Sequence, residues 1–467
     1  MPRHEPRTLS RRLGLRRLAA AQPDHVRATH RRTWALALML VGAACEDDPA
    51  RFPDADADAS PDSATPDSAT PDTAPAETDV APPLTWVRTR GDTKADLATG
   101  VAVDPTGNIY FAAHQQAVGA LFTDLVAYKF APDGSETWRV TWGGPFQEKA
   151  FIVAWAGDAV LVGGLRHQSA ALEDADMAVV ALDPTDGHLL WEFTWGQGVG
   201  YEEVDGLVAH GDAIWVSGWT TSATTGYDAA VLRLTRAGTL DWVKTWGSPT
   251  WDQADGQMVV DDTNLYVCGR WGAANYLGGG KSMLAKLSKV DGAVVDQITW
   301  GESAVFNDAL GMASDGTSLY VVGLTIVAEG GGQIFVRKFD KSLGLAWERL
   351  WGGTKGEGAR ALAVDDDGEI VVAGHTDSEG AGGNDVLMVR YAPDGTLRYA
   401  HTWGGALGDT VGGIALHGGI AYLAGETFSF SQGQNDALFL AVDARTGTFA
   451  RAGVDADGAA DEDRDRR

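Results

Sequence analysis

Cysteine is scarce in this chain. Of 467 residues only Cys45 and Cys268 are cysteines, so no disulfide framework and no paired-cysteine metal spacing is available. Lysine is missing from the first 33 residues, which carry nine Arg against Glu5 and Asp24. Long apolar runs are missing as well: the one candidate, WALALMLVGAAC from Trp34 to Cys45, is too short to span a bilayer stably. Positive charge is low overall, with 37 Lys and Arg against 64 Asp and Glu and a net charge of −27. That balance argues against nucleic acid and anionic membrane surfaces as partners. Among motifs, there is no Gly-x-Ser-x-Gly elbow, no His-Glu-x-x-His, and no Walker or dinucleotide fingerprint, so no activated nucleophile is legible.

What is present begins with an export signal. The Arg-rich start, the short apolar run and the small residues Gly42-Ala43-Ala44 before Cys45 read as a secretory signal over residues 1–44. The run resembles a bacterial lipobox, which implies Cys45 as the lipid-bearing mature N-terminus; Gly42 stands where that pattern usually has Leu. Without residues 1–44 the chain has 28 bases and 62 acids, net −34. Residues 45–83 are mostly Asp, Ala, Pro, Ser and Thr with two copies of PDSAT, a composition that cannot bury enough surface to fold and reads as a self-repelling tether. Residues 451–467 form an acidic tail of the same kind. Cys268, in the strand-like run NLYVCGR, reads as a buried structural thiol.

The dominant signal is a repeat. Trp142, Trp195, Trp246, Trp300, Trp351 and Trp403 each precede Gly, at steps of 53, 51, 54, 51 and 52 residues, and Arg90-Gly91 marks one earlier register. One unit, Gly352 to Trp403, holds the runs ALAVD, EIVVAG, DVLMVRYA and TLRYAHTW, separated alternately by tight Gly turns and longer loops. Four antiparallel strands per repeat predict the blade of a β-propeller. Seven A–B–C sets follow the first outer strand, so the expected architecture over 84–450 is an all-β, seven-bladed β-propeller of four-stranded antiparallel blades. The N-terminal strand Leu84–Arg90 would close the ring, with FARAG near Phe449 competing for the same edge. The paired Trp positions, four apart on each outer strand, read as packing between blades.

The frame at residues 351–391 (WGG, an acidic residue, an apolar strand ending in Asp, Gly, a second apolar strand, Gly-x-Thr and a later Asp) resembles the bacterial beta-propeller repeat family of the SBBP type. That resemblance implies an envelope or extracellular protein and no particular reaction. ALDPTDGHLLW at Ala181–Trp191 and AVDARTG at Ala441–Gly447 are more distantly similar to quinoprotein-type propeller repeats.

Three columns emerge when the repeats are aligned. The first, at the start of strand A, is Asp96, Glu148, Glu202, Asp252, Asn307, Glu357 and Asp409. Such carboxylates either encircle the channel mouth as a cation or basic-partner ring, with calcium the natural ion, or cap their own loops. The alternatives differ in pointing direction, and axis-facing carboxylates would be raised by mutual repulsion. The second, before strand C, is Asp124, Asp176, Asp228, Lys281, Gln333, Asp385 and Asp436, read as loop-bonding aspartates. The third, where strand B ends, varies: His114, Leu165, Trp219, Arg270, Leu324, His375 and Glu426. With His167, Trp251 and Trp271 in the neighbouring loops it offers a binding face, and Trp219, Trp251 and Trp271 are the sugar-stacking candidates.

The expected protein is therefore a non-catalytic, lipid-anchored module of the bacterial cell envelope, at the outer membrane or cell surface. It would be monomeric, with no required cofactor, binding a protein or glycan through its long-loop face. The alternatives are a propeller enzyme acting on glycans, as lyase or hydrolase, and an outer-membrane assembly factor. A shallow acidic funnel favours binding, and perturbed titratable groups in a deep pocket favour catalysis.

Overall fold

The computed structural model describes residues 85–450, apart from 117–119, 199, 223–225, 276–277 and 328–330. The readings made for residues 1–44, Cys45, 45–83 and 451–467 lie outside the described residues. Seven antiparallel sheets follow one another along the chain. Blade 1 comprises strands A to D at Asp96–Val103, Ile109–Gln115, Asp124–Phe130 and Glu136–Trp142. Blades 2, 3, 5 and 6 repeat this order from Glu148, Glu203, Asn307 and Glu357, and in blade 4 strand A is split into Trp251–Gln253 and Met258–Val260.

Blade 7 takes strands A to C from Asp409–His417, Ile420–Thr427 and Asp436–Asp443. Its fourth strand is Trp86–Arg90, antiparallel to the third from Trp86↔Ala441 to Arg90↔Ala437. Phe449 does not compete: Thr448 makes an isolated bridge to Asp443, and Phe449 then packs against the core between blades 6 and 7.

The burial patterns explain why these runs become these strands. Inner strands such as Ile109–Gln115 are buried on both faces and are near-continuous apolar runs, because each sheet face meets a neighbouring sheet. Outer strands such as Glu136–Trp142 alternate between exposed and half-buried positions. The cores lie between blades rather than within them: one joins Phe111, Tyr128 and Phe130 of blade 1 to Tyr422 and Phe439 of blade 7, another joins Leu161 and Val179 of blade 2 to Ile214 and Leu232 of blade 3. A single blade therefore has no core of its own.

Both Trp columns act across these seams. Trp86 is 5% exposed and its Nε1 donates to the Pro132 carbonyl in the next blade at 3.0 Å. Trp138 and Trp347 repeat the contact with Pro184 and Pro393 at 3.2 and 3.1 Å. In the second column Trp142 Nε1 donates to Glu192 Oε2 at 2.7 Å. Arg90, which replaces Trp in the first register, ion-pairs with Glu136 at 2.8 Å, so a guanidinium fills the indole's place at that seam.

Candidate functional site

The seven strand-A residues are buried: Asp96 and Glu357 are 2% exposed, Asn307 3%, and Glu148, Glu202, Asp252 and Asp409 0%. Their hydrogen bonds go mainly to their own blade, with Asn307 also reaching across to blade 4. Asp96 accepts from the Asp92 and Gln116 amides at 3.1 and 3.2 Å. Glu202 accepts from Thr220 Oγ1 at 2.8 Å, Glu357 from Thr376 Oγ1 at 3.3 Å, and Asp252 from the Gly272 amide at 2.7 Å. Asp409 accepts from the Gly405 amide at 2.8 Å, while Asn307 donates to the Gly280 carbonyl at 2.9 Å. Glu148 lies 3.5 Å from Arg166. They tie the entry of strand A to the end of strand B.

The second column meets the first across several seams, at the glycine that follows strand D. A Cβ on Gly196 would stand 1.9 Å from Asp176 Oδ1 of blade 2 and 3.2 Å from Glu202 Oε2 of blade 3. The same squeeze surrounds Gly91 with Asp436 and Asp96, and Gly404 with Asp385 and Asp409. Burial, with the facing aspartate adding to it, raises Asp96 to about 6 and Glu202 to about 7. Among the described residues the group of three whose ligand atoms lie within 4.8 Å of one another is Asp183, Asp186 and His188, on an outer turn of blade 2. The strand-A column thus assembles no three-ligand set for an ion.

The chemistry at the axis comes from positions the repeat reading passed over. Strand A carries a β-bulge in blades 1, 2, 3, 5, 6 and 7, skipping Thr99, Phe151, Asp205, Leu310, Arg360 and Gly412. In blade 4 Asp255 falls in the gap between the two pieces of the strand. A bulge turns one side chain off the pleat, here off the innermost strand. Asp205, Asp255 and Arg360, with Lys149, Glu203 and Asp308, form one electrostatic cluster: Arg360 of blade 6 acts on Glu203 and Asp205 of blade 3 and on Asp308 of blade 5. Blades so far apart around the ring meet only across its axis.

Burial dominates this cluster. It raises Glu203 to about 7, with Lys149 and Arg360 opposing. It pushes Asp205 and Asp255 well above the ordinary carboxylate range, with Glu203 and Asp308 respectively adding repulsion. Asp308 rises for the same first reason, and burial lowers Lys149. Arg270, 1% exposed, donates to Gln253 Oε1 at 2.8 Å and stacks 4.9 Å over Phe306. His114 falls to about 3 through burial and Lys149, its Nδ1 lying 3.2 Å from the Ala150 carbonyl. His375 falls to about 4 through burial and Arg360, so both imidazoles are neutral at physiological pH. Glu426, bonded by Asn435 at 2.6 Å, is raised to about 7 by burial. Cys268 is a buried free thiol.

The variable strand-B column sits directly beside these groups. Trp219 is registered opposite Glu203, Arg270 opposite Gln253, His375 opposite Gly358 and Glu426 opposite Thr410. From Trp219 an aromatic arc runs over the long-loop face of blades 2 to 4. Tyr201 stacks on Trp219 at 5.2 Å and 9°, and His167 meets Tyr201 at 5.7 Å. Tyr227 lies 4.4 Å from both Trp219 and Trp251. Burial and the charges of Glu203 and Glu202 hold the Tyr227 hydroxyl up at about 12. Trp271 stands apart, packed against the core between blades 3 and 4.

The family model "Domain of unknown function (DUF5122) beta-propeller" matches residues 366–397, the middle of blade 6. The chain is a β-propeller. Solved structures similar to it include the WD40 beta propeller domain of Doa1, at 11% identity and TM-score 0.44 over 76% of this chain and 97% of that one. The periplasmic gluconolactonase PpgL of Pseudomonas aeruginosa aligns at 14% identity and TM-score 0.45, over 67% and 87%. A puromycin-hydrolyzing peptidase of Mycobacterium tuberculosis aligns at 14% and TM-score 0.47, over 75% and 51%. No curated protein matches this propeller. Similarity at this level speaks for fold alone.

Proposed function

We propose that this propeller is a binding module whose ligand is a glycan, taken on the long-loop face where the aromatic arc of blades 2 to 4 meets the axial cluster. The observation that carries this reading is the arc itself: Tyr201, Trp219, Tyr227 and Trp251 in successive ring contact, next to Glu203. Pyranose rings present flat C–H faces to aromatic rings and hydroxyl donors to carboxylates, and this combination offers both partners. Calorimetric titration against a panel of neutral oligosaccharides is expected to give binding that Trp251→Ala and Tyr201→Ala each weaken about tenfold, equivalent to about 1.4 kcal/mol. Binding that both variants leave unchanged, or no binding across the panel, would count against it.

A catalytic reading draws on a different observation. Axial carboxyls raised by burial, Glu203 to about 7, are suited to donate a proton to a leaving group. Release of new reducing ends during the same titrations would favour a glycan hydrolase, and unsaturated ends a lyase.

We also place the protein outside the cytoplasm, anchored in the bacterial envelope through Cys45. The signal-like composition of residues 1–44 supports this placement. Metabolic labelling with a fatty-acid analogue is expected to mark the chain, and Cys45→Ala to abolish the mark. A label that persists in that variant would overturn the anchor.

A further inference from the structure

The axial carboxyls form close pairs from which a hydrogen-bond donor is missing. Asp255 of blade 4 and Asp308 of blade 5 precede Gly256 and Ala309, where the two blades approach so closely that a Cβ on Gly256 would stand 2.6 Å from the Ala309 carbonyl oxygen, and Asp255 Oδ1 and Asp308 Oδ1 are both buried without a protein donor. Asp308 as a whole is 5% exposed. Glu203 and Asp205 of blade 3 make a second such pair, leaving Asp205 Oδ2 without a donor. Ionised carboxylates only accept hydrogen bonds, so two of them in contact need a proton or a cation between them. An ion held by three of these carboxylates is disfavoured, because their oxygens do not come within 4.8 Å of one another as a group of three. Glu203, Asp205, Asp255 and Asp308 face Lys149, Arg270 and Arg360, with the neutral His114 and His375, the Tyr227 hydroxyl and the Cys268 thiol among their titratable neighbours.

We infer that a proton shared between Asp255 and Asp308 is a structural part of the propeller axis, joining blade 4 to blade 5, and that its loss on raising the pH loosens that seam. This device stands independently of any glycan bound on the face above. When the proton leaves, two like charges confront each other in a buried site, and the nearest bases are already shared with other acids.

The sign follows from linkage. These acids titrate higher in the folded chain than at their ordinary 3.8, so the folded state holds more protons than the unfolded one. Their contribution is full below about pH 4 and is lost as pH rises through the folded values, up through about 7 for the neighbouring Glu203. Acids held low elsewhere, such as Asp261 and Asp315 at about 2, act in the opposite sense and weaken the fold below about pH 4.

The full chain is therefore expected to melt at least roughly 3 °C lower at about pH 8 than at about pH 5. Asp308→Asn supplies an amide N–H in place of the shared proton; it should raise the melting temperature at the higher pH and shrink the difference between the two. Infrared difference spectra between the wild type and Asp308→Asn at neutral pH should show a protonated-carboxyl carbonyl band that belongs to the wild type alone, beside the absorption that both share from Glu202, Glu203 and Glu426. A melting temperature that is flat or rising from pH 5 to 8, or the lack of that band in the wild type, would overturn the inference even if the variant does not fold.

Discussion

A chain that begins at Gly91 is expected to lose most of its stability, because it lacks the strand that completes blade 7. Five residue pairs join Trp86–Arg90 to Ala437–Ala441. Trp86 and Val87, 5% and 4% exposed, enter the cores on either side of that blade. Burying two such side chains contributes about 3–6 kcal/mol, against a total of roughly 5–15 kcal/mol for an ordinary domain. The deletion also opens a sheet edge that the ring otherwise lacks. Urea unfolding of the shortened chain should show a midpoint far below that of the full one, with aggregation on concentration. An unchanged midpoint would show that the ring closes by another strand.

Gly218→Val is expected to cost roughly 2–4 kcal/mol, a large penalty for one residue. A Cβ at Gly218 would lie 1.8 Å from the Glu203 carbonyl oxygen, on the strand-A backbone just ahead of the bulge at Asp205. The clash is built into the blade: Gly164, Gly323 and Gly425 face the carbonyls of Lys149, Asp308 and Thr410 at 1.8, 2.0 and 1.9 Å. Blade 1 has Ala113 at this place, opposite Ala98, so one methyl is accommodated when strand A begins differently. A branched side chain is not. Chemical denaturation is the test, and Ala113→Gly, with no clash to relieve, should move the midpoint little. If Gly218→Val is equally mild, the close approach does not limit the fold.

Much of the fold was legible because the repeat reports local requirements. Trp86, Trp138 and Trp347 recur where an indole must reach a carbonyl of the next blade, and Gly196 recurs where two carboxyl groups meet a backbone. The strand-A carboxylates were legible as a column but ambiguous in role, since a sequence shows recurrence without direction. In the structure they are buried and hydrogen-bonded toward the end of strand B. The axial groups were harder to see. Asp205, Asp255 and Arg360 share one aligned position at which the other blades carry Thr99, Phe151, Leu310 and Gly412, so no residue type marks the column; a charged residue three places after the strand-A acid was the available signal.

The sequence by itself determined the number of blades, the four strands of each, the closing role of the N-terminal strand segment and the packing role of the tryptophans. All of these depend on contacts within one blade or between neighbours, which a period of about fifty residues encodes seven times over. Only the tertiary structure decided that Glu203, Asp205, Asp255, Asp308 and Arg360 meet, and that Tyr201, Trp219, Tyr227 and Trp251 form one arc. The axis is where blades distant in sequence converge, and a bulge, set by backbone register, chooses which side chain reaches it.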